Sequence, residues 1–376
     1  MALPLTRRRL ACATALLAGA LLSGPLAGEA RAATPQAKPR TSATRAAAPK
    51  ARHRAAAPVT HSYAGREDAM RAADDIASRR DLDPAWTRQV IGQAQHLPQI
   101  TRWVLPAPAG TAKNWRVYRS RFIDPVRIAA GVAFWQANAD ALERAEREFG
   151  VPAAIIVGII GVETIFGRQV GNFRVIDALA TLSFDFPLAH PRAAERRAFF
   201  LGELEQLLSL ARRGGLDPAS LRGSYAGAMG LPQFMPSSWV RYAIDFDGDG
   251  RIDLFRSPVD VIGSVANYFQ AFGWKPGMPT HYPVQFAPER LDLAPLLGPD
   301  ILPTFQPADL AARGVLLDTA GQQHTGPLAL VELQNGGEAP QYLAGTENFY
   351  VVTRYNWSSY YAMAVIELGE AIARAR

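Results

Sequence analysis

The spacing of apolar residues predicts helices over much of the chain beyond residue 60. Apolar side chains recur every three or four residues over 66–80 and 199–211, which is typical of helices with one buried face. A longer pattern of the same kind covers 125–148 and ends at Gly150, a residue type that commonly terminates helices. We therefore expect a helical domain over 61–150.

The segment 155–162 is apolar on every side of a helix, which indicates a buried central helix. Pro152 is placed to open this helix and Gly167 to end it. One carboxylate, Glu163, follows the apolar run. Burial penalises an ionised carboxylate, so Glu163 should keep its proton to higher pH and could act as a general acid. Two alternatives stay open: an ion pair with Arg168, and a helix end where the carboxylate reaches solvent.

The pattern changes at about residue 275. Prolines and glycines recur over 275–346, and short segments such as 282–286 and 328–333 favour β-strands. We expect a small inserted β-rich domain in this region. The expected fold is mainly α, with a central core over 151–274. The C-terminal segment 347–376 should complete both this core and the helical domain.

The N-terminal region has the pattern of an exported protein. Residues 1–32 combine three consecutive arginines at 7–9, an apolar run and small residues before a cleavage site, as in a signal peptide. The arginines also fit a twin-arginine signal, so the export route stays open. Residues 33–60 are rich in Ala, Pro, Arg and Lys and predict a disordered basic linker, either a plain spacer or a contact for anionic polymers. The single cysteine, Cys12, precedes the apolar run, so we expect neither a lipid anchor there nor a disulfide.

The charge balance argues against nucleic acid as a partner. The net charge of +6 comes from the first 60 residues, because 61–376 carries 30 Lys and Arg against 33 Asp and Glu. This mildly acidic region has no excess of basic residues to neutralise phosphates. No later stretch approaches about 18 consecutive apolar residues, so no transmembrane span is expected.

Four aspartates within 245–253 follow the order of an EF-hand calcium loop. The predicted ligands are Asp245, Asp247, Asp249, Asp253 and the main-chain carbonyl of Arg251. Position twelve departs from the motif, because it is Arg256 rather than glutamate. Asp260 is the nearest later carboxylate that could close the shell, which extends the loop to 245–260. The aspartates repel one another unless a cation lies among them; the alternative is an acidic turn held by hydrogen bonds.

Two further segments suit a sugar ligand. The Gly- and Pro-rich loop 224–236 contains Gln233, whose amide could donate to a sugar, although a tight structural turn explains the loop equally well. Aromatic rings, which pack on sugar rings but are more often core, crowd the C-terminal region. They are Tyr350, Tyr355, Trp357, Tyr360 and Tyr361.

Several groups of residues occur in a familiar order. They are Gly-Val-Glu163-Thr with Phe-Gly-Arg168; Ala178-Leu-Ala-Thr-Leu-Ser183-Phe; Ala226-Gly-Ala-Met-Gly with Gln233-Phe-Met-Pro-Ser-Ser238; Gly263-Ser-Val-Ala-Asn-Tyr268-Phe; and Arg354-Tyr-Asn356 ahead of Tyr361-Ala-Met-Ala-Val. Together they resemble the lytic murein transglycosylase B family from about residue 66 to the C-terminus. The resemblance implies a helical domain, a small β domain and a lysozyme-like catalytic core with an EF-hand-like calcium loop.

The resemblance also implies roles for individual residues. Glu163 would be the sole catalytic acid and base, and calcium would be structural, with no organic cofactor. The saccharide groove would be lined by Tyr118, Ser224, Gln233, Tyr268, Tyr355, Asn356 and Tyr361. Arg196 and Arg197 match a basic pair of the family, but they follow an apparent insertion at 188–195, so a role in contacting peptide stays open. Since the lipid-bearing cysteine of some members is absent, we expect a soluble periplasmic form.

The implied reaction cleaves the β-1,4 bond between N-acetylmuramic acid and N-acetylglucosamine in peptidoglycan and leaves 1,6-anhydromuramoyl ends. Ordinary glycosidases use two carboxylates, and we expect no acidic residue other than Glu163 in a comparably apolar setting. A transglycosylase needs only one, because the 6-hydroxyl of the sugar replaces water. The alternatives are a hydrolytic muramidase and a non-catalytic peptidoglycan-binding protein. We expect a monomer that acts on glycan strands, with other cell-wall enzymes as candidate partners.

Overall fold

The computed structural model describes residues 61–106 and 110–376. The predicted signal peptide, the linker and Cys12 lie outside the described residues. The described helices are α1 (Glu67–Arg80), α2 (Pro84–Gly92), α3 (Pro98–Trp103), α4 (Trp115–Arg119), α5 (Pro125–Ala137), α6 (Ala139–Phe149), α7 (Ala153–Thr164), α8 (Val175–Phe184), α9 (Ala193–Gly214), α10 (Pro236–Tyr242), α11 (Pro258–Ala271), α12 (Leu293–Leu297), α13 (Pro307–Ala312), α14 (Thr319–Gln322), α15 (Glu347–Thr353) and α16 (Ser359–Ala375), with a 3₁₀ turn at Pro288–Arg290. None of the helices in these two ranges has the length and apolar character needed to cross a membrane.

The helix expected over 125–148 is in fact two helices. α5 and α6 meet at Asn138, whose backbone leaves the helical region at φ −127° and ψ 27°. The Asn138 side chain donates to the carbonyl oxygen of Phe134 at 2.8 Å. Asparagine competes in this way with the backbone for hydrogen bonds, so the apolar period continues across a point where the helix stops. Gly150 ends α6 in the left-handed conformation, as predicted.

The central helix α7 is buried along nearly its whole length, as predicted. It crosses α16 at close range because both helices lack a side chain where they meet. A Cβ on Gly158 would collide with the carbonyl oxygen of Val365, and one on Gly369 would collide with that of Ala154. This approach brings the first turn of α16 to the last turn of α7.

α7 ends at Thr164, three residues before the expected stop at Gly167. Ile165 adopts the left-handed conformation at φ 50°, and its N–H bonds to the carbonyl of Gly161 at 3.2 Å. Phe166 follows at φ 55°. A glycine normally occupies such a position, so two bulky residues there indicate backbone strain.

The strands of the described residues form two small antiparallel sheets. They are β1 (Phe173–Arg174) with β2 (Arg222–Gly223), and β3 (His281–Phe286), β4 (Val315–Leu317), β5 (Ala329–Asn335) and β6 (Glu338–Gly345) in the order β4-β3-β6-β5. The predicted strands are present as β3 and β5, whereas β4 and β6 were not predicted. The larger sheet has its own hydrophobic cluster, separate from the main core that extends from Tyr63 to Ile372. The predicted boundary at residue 150, which falls inside the main core, stays a prediction.

Candidate active site

Glu163 is half-buried in the last turn of α7. The hydroxyl of Tyr361, on α16, donates to Glu163 Oε1 at 2.5 Å. Burial raises the pKa of Glu163 to about 7, and the hydrogen bond from Tyr361 opposes this effect without cancelling it. Arg168 is exposed and takes no part in the shift, so the ion-pair alternative is wrong. The site holds a carboxyl that can both give and take a proton near neutral pH.

Neutral tyrosines surround this carboxyl. Burial and the nearby Glu163 raise the pKa values of Tyr118, Tyr355 and Tyr361 well above the usual range. The rings of Tyr355 and Tyr361 stack with centroids 6.4 Å apart, and Tyr118 packs edge-on against Tyr360 at 5.8 Å. Three of the predicted groove residues therefore lie together at Glu163.

The hydroxyls of two predicted groove tyrosines, Tyr355 and Tyr268, donate to backbone carbonyl groups of the protein. The Tyr355 hydroxyl donates to the carbonyl oxygen of Pro232 at 2.5 Å, and that of Tyr268 donates to the carbonyl oxygen of Arg354 at 2.6 Å. A cleft of about 70 Å³ opens beside them, with Tyr268, Tyr355 and Asn356 in its lining together with Glu203, whereas Glu163 does not line it. Asn356 Oδ1 is buried there without a protein partner. An unpaired buried acceptor is costly, so this oxygen suits a ligand donor.

The loop after β2 holds Ser224 and Gln233. Ser224 Oγ accepts from the N–H groups of Ala226 at 3.3 Å and Ala228 at 3.0 Å, so it stabilises the turn of the loop. Gln233 has φ 52°, and its Nε2 donates to the carbonyls of Val170 at 3.1 Å and Gly230 at 2.9 Å. Both amide protons are thus used within the protein. Its Oε1 is the atom left for a ligand in this arrangement, and the expected donation from Gln233 to a sugar stays a prediction.

A second buried glutamate corrects the expectation that Glu163 is alone in an apolar setting. Glu203, on α9, is 3% exposed. Its carboxylate accepts from Ser237 N–H at 2.9 Å and Ser237 Oγ at 2.6 Å, and so caps the start of α10. The sequence held a signal for this burial, because Glu203 falls on the apolar face of the predicted helix 199–211 between Phe200 and Leu207.

The basic pair predicted as a peptide contact has partners within the protein. The Arg196 guanidinium lies over the rings of Phe199 and Phe200 at 5.6 and 5.4 Å. Arg197 Nε donates to the carbonyl oxygen of Ser183 at 3.2 Å. Helix α9 begins at Ala193, so the apparent insertion contributes its first residues. A peptide-binding role for either arginine stays a prediction.

The acidic loop brings three predicted metal ligands together. Carboxylate oxygens of Asp245, Asp247 and Asp249 lie within 4.8 Å of one another. Gly248 and Gly250 adopt φ values of 79° and 88°, which let the chain turn tightly around them. Three converging carboxylates fit a hard cation that prefers oxygen ligands.

The other three predicted ligands lie differently. Asp253 Oδ1 accepts from Phe255 N–H and Arg256 N–H, both at 2.9 Å. Asp260 is buried and accepts from the N–H groups of Phe246 and Asp253, both at 2.8 Å, and so closes the loop. Arg251 is exposed. The structure groups none of these three with the converging carboxylates, and their metal roles stay predictions.

A mainly helical, lysozyme-like fold in which a glutamate of raised pKa lies among three tyrosines defines a class of glycan-cleaving proteins. Comparison with known proteins identifies the family within that class. The profile of the transglycosylase SLT domain matches residues 65–370. The membrane-bound lytic murein transglycosylase B of Escherichia coli (strain K12) is 42% identical over 323 residues, covering 84% of this chain and 85% of that protein. The chain belongs to the transglycosylase SLT domain family and is a homologue of lytic murein transglycosylase B.

Solved structures agree with this assignment. The E. coli lytic transglycosylase Slt35 in complex with bulgecin A matches with a TM-score of 0.75 at 41% identity, over 84% of this chain and 96% of that one. Its complex with calcium matches with a TM-score of 0.74 over the same shares at 41% identity. SltB3 from Pseudomonas aeruginosa in complex with NAG-anhNAM-pentapeptide matches with a TM-score of 0.66 at 27% identity, over 82% and 79%.

Proposed function

We propose that the chain is a lytic transglycosylase that cleaves the β-1,4 bond between N-acetylmuramic acid and N-acetylglucosamine in peptidoglycan and leaves 1,6-anhydromuramoyl ends. The observation that carries the proposal is Glu163, a carboxyl at the end of an apolar helix with its pKa raised to about 7. A group with a pKa near the working pH can serve as acid in one step and base in the next. Membership of the family supports this function.

In the first step Glu163 acts as the acid. Its proton passes to the glycosidic oxygen, and the bond from that oxygen to C1 of the muramoyl residue breaks. Because Oε1 accepts from Tyr361, Oε2 is the oxygen that meets the substrate. The Tyr361 hydroxyl then stabilises the carboxylate that the transfer produces, and it keeps its own proton because its pKa is raised.

In the second step Glu163 acts as the base. The N-acetyl group of the substrate relieves the positive charge at C1, and the muramoyl 6-hydroxyl attacks that carbon. The hydroxyl proton returns to Glu163, the bond from C1 to the 6-oxygen closes the anhydro ring, and the enzyme regains its starting state. An internal nucleophile has a high effective concentration, so no water molecule needs to be activated.

The contacts of Glu203 favour this reaction over hydrolysis. A hydrolytic muramidase would need a second carboxylate free to activate water. Glu203 is buried, and both its oxygens accept hydrogen bonds from Ser237. Glu203 lines the cleft beside Tyr355, but both of its oxygens already have partners, which supports a structural role for Glu203 and the proposal that Glu163 is the acid and base.

The predicted groove residues have three proposed roles: some surround the reacting carboxyl, some accept hydrogen bonds from the sugar, and some support the groove. Tyr118, Tyr355 and Tyr361 lie around the reacting carboxyl, and Asn356 Oδ1 and Gln233 Oε1 offer acceptors to sugar hydroxyl or amide groups. Ser224 and Tyr268 support the groove through their bonds to backbone groups. Substrate contact by each of these seven residues is part of the proposal.

We also propose a structural calcium ion in the loop 245–260, held chiefly by Asp245, Asp247 and Asp249. The convergence of these carboxylates supports the site, as does the similarity to Slt35, which was solved in complex with calcium. Calcium would stabilise the loop by neutralising carboxylates that otherwise repel one another. The signal-peptide pattern supports action in the periplasm, and glycan strands are the proposed partner of a monomeric enzyme.

A substitution at Glu163 tests the function. Glu163→Gln keeps the shape of the side chain but cannot exchange a proton, so turnover of purified peptidoglycan should fall at least about 10²–10⁴-fold. Glu143→Gln is the matched control, because the Glu143 side chain is 79% exposed on α6, and it should retain wild-type turnover. Wild-type turnover in Glu163→Gln would contradict the proposed mechanism.

A further inference from the structure

The backbone next to Glu163 is strained in an unusual way. Among the described residues, five non-glycine residues have φ between 50° and 55°, and three of them lie in the candidate active site: Ile165, Phe166 and Gln233. Left-handed backbone is unfavourable for such residues, most of all for a β-branched one. It persists only where the surrounding structure holds it, and it clusters at functional sites.

Thr164 is the residue that joins these strained segments. It is fully buried, so it cannot touch substrate. Its hydroxyl donates to the carbonyl oxygen of Leu231 at 2.9 Å and accepts from the N–H of Gly167 at 3.1 Å. One side chain thus holds the turn that leaves α7 and also binds the loop that carries Gln233.

The direction of this hydrogen bond is informative. A buried threonine in a helix commonly satisfies its hydroxyl on the carbonyl four residues earlier. That acceptor, Ile160, is 3.4 Å from Thr164 Oγ1, whereas Leu231 is at 2.9 Å. A hydroxyl has one proton, which therefore goes to the more distant loop. Leu231 precedes Pro232, the residue whose carbonyl accepts from Tyr355, so the bridge reaches both walls of the site.

We propose that Thr164 is a positioning residue for the reaction, which rests on the proposed function of Glu163. Its hydroxyl bridge fixes the last turn of α7 against the loop 231–233 and so sets where the Glu163 carboxyl meets the glycosidic oxygen. The strain at Ile165 and Phe166 makes the turn ready to relax when the bridge is removed. Relaxation would move Glu163 away from its productive position, whereas Gln233 would stay in place through its own bonds to Val170 and Gly230.

The test compares two substitutions at Thr164. Thr164→Val keeps the shape but removes the hydroxyl, and Thr164→Ser keeps the hydroxyl but removes the methyl group. We expect Thr164→Val to lower kcat on glycan strands on the order of 10–100-fold with KM within about twofold of wild type, because small displacements of a catalytic group are costly. Thr164→Ser should restore kcat to within about threefold. If Thr164→Val does not fold, Thr164→Ala replaces it in the comparison.

Thr87→Val is the matched control. Thr87 is also fully buried in a helix, and its hydroxyl donates to the carbonyl oxygen of Asp83 four residues earlier at 2.9 Å. The Thr87→Val variant should have a lower melting temperature than the wild type and an unchanged kcat. A purely packing role for Thr164 predicts instead that Thr164→Ser, which leaves a cavity, loses as much activity as Thr164→Val. That result, or a wild-type kcat in Thr164→Val, would overturn the inference.

A failure of the inference about Thr164 can be distinguished from a failure of the proposed function of Glu163. If Glu163 were not the acid, Glu163→Gln would remain active whatever the Thr164 variants do. If only the inference is wrong, Glu163→Gln is inactive and Thr164→Val turns over as fast as wild type.

Discussion

Replacing Glu163 with Gln should stabilise the protein above neutral pH while it removes activity. Burial raises the pKa of Glu163 from 4.5 to about 7. Between these values the folded chain holds a proton that the unfolded chain releases, so folding stability falls as the pH rises. The stabilisation of the folded state by the proton on Glu163 is fully present below about pH 4.5 and is lost as the pH passes through about 7. Glutamine carries no charge and escapes this loss.

The size of the effect follows from the two pKa values. Their separation, at roughly 1.4 kcal/mol for each pH unit, gives about 3 kcal/mol above pH 8. For a protein of this size, roughly 2 °C of melting temperature corresponds to each kcal/mol. The melting temperature of Glu163→Gln minus that of the wild type should therefore be about 6 °C larger at pH 8 to 9 than at pH 4.5.

Thermal melts across pH 4 to 9 measure this difference. Wild type, Glu163→Gln and the exposed control Glu143→Gln are compared in the same buffers. The control should show no comparable gain over the wild type, because its side chain is exposed and makes only a surface ion pair with Arg147. Parallel curves for Glu163→Gln and wild type would refute the claim that Glu163 is held in a desolvated setting.

Three further perturbations test other parts of the site. Tyr361→Phe removes the hydrogen bond that lowers the pKa of Glu163, so the alkaline limb of kcat should move to higher pH; an unmoved limb in the pH–rate profile would count against this contact. Glu203→Ala leaves the Ser237 donors unpaired, which costs about 1–3 kcal/mol. It should lower the melting temperature with turnover per folded molecule little changed, and a loss of turnover at full stability would give Glu203 a catalytic role. Calcium at about 100 times its Kd should add roughly 2.7 kcal/mol, more than magnesium, as seen in melts with and without chelator, and a wild-type response in Asp247→Ala would exclude the proposed site.

The centre of the fold could be predicted because its signal is local. An apolar run on all sides of a helix can only be buried, so α7 and the raised pKa of Glu163 followed from the residues themselves. The break at Asn138 was missed because the apolar period continues through it, and only the side-chain bond to Phe134 shows where the helix stops. β6 was missed because the first half of Glu338–Gly345 has few β-favouring residues and relies on its neighbours β3 and β5.

The hydrogen bonds of the site join parts of the chain that are far apart in sequence. The bond from Tyr361 to Glu163 spans 198 residues, and it exists because Gly158 and Gly369 let two helices approach. The bridge from Thr164 to Leu231 likewise joins segments that no local pattern relates. The resemblance to a known family named the groove residues, but it could not say which of their atoms already have partners, as the amide of Gln233 shows.

The nature of the cleavage product tests the central claim most directly. Purified peptidoglycan is digested in water enriched in heavy oxygen, and the muropeptides are weighed by mass spectrometry. If the muramoyl 6-hydroxyl attacks C1, each cut leaves an unlabelled 1,6-anhydro end that is lighter by one water than the hydrolytic product. Label at most of the new reducing ends would mean that water is the nucleophile, and transglycosylation by Glu163 alone would then be contradicted.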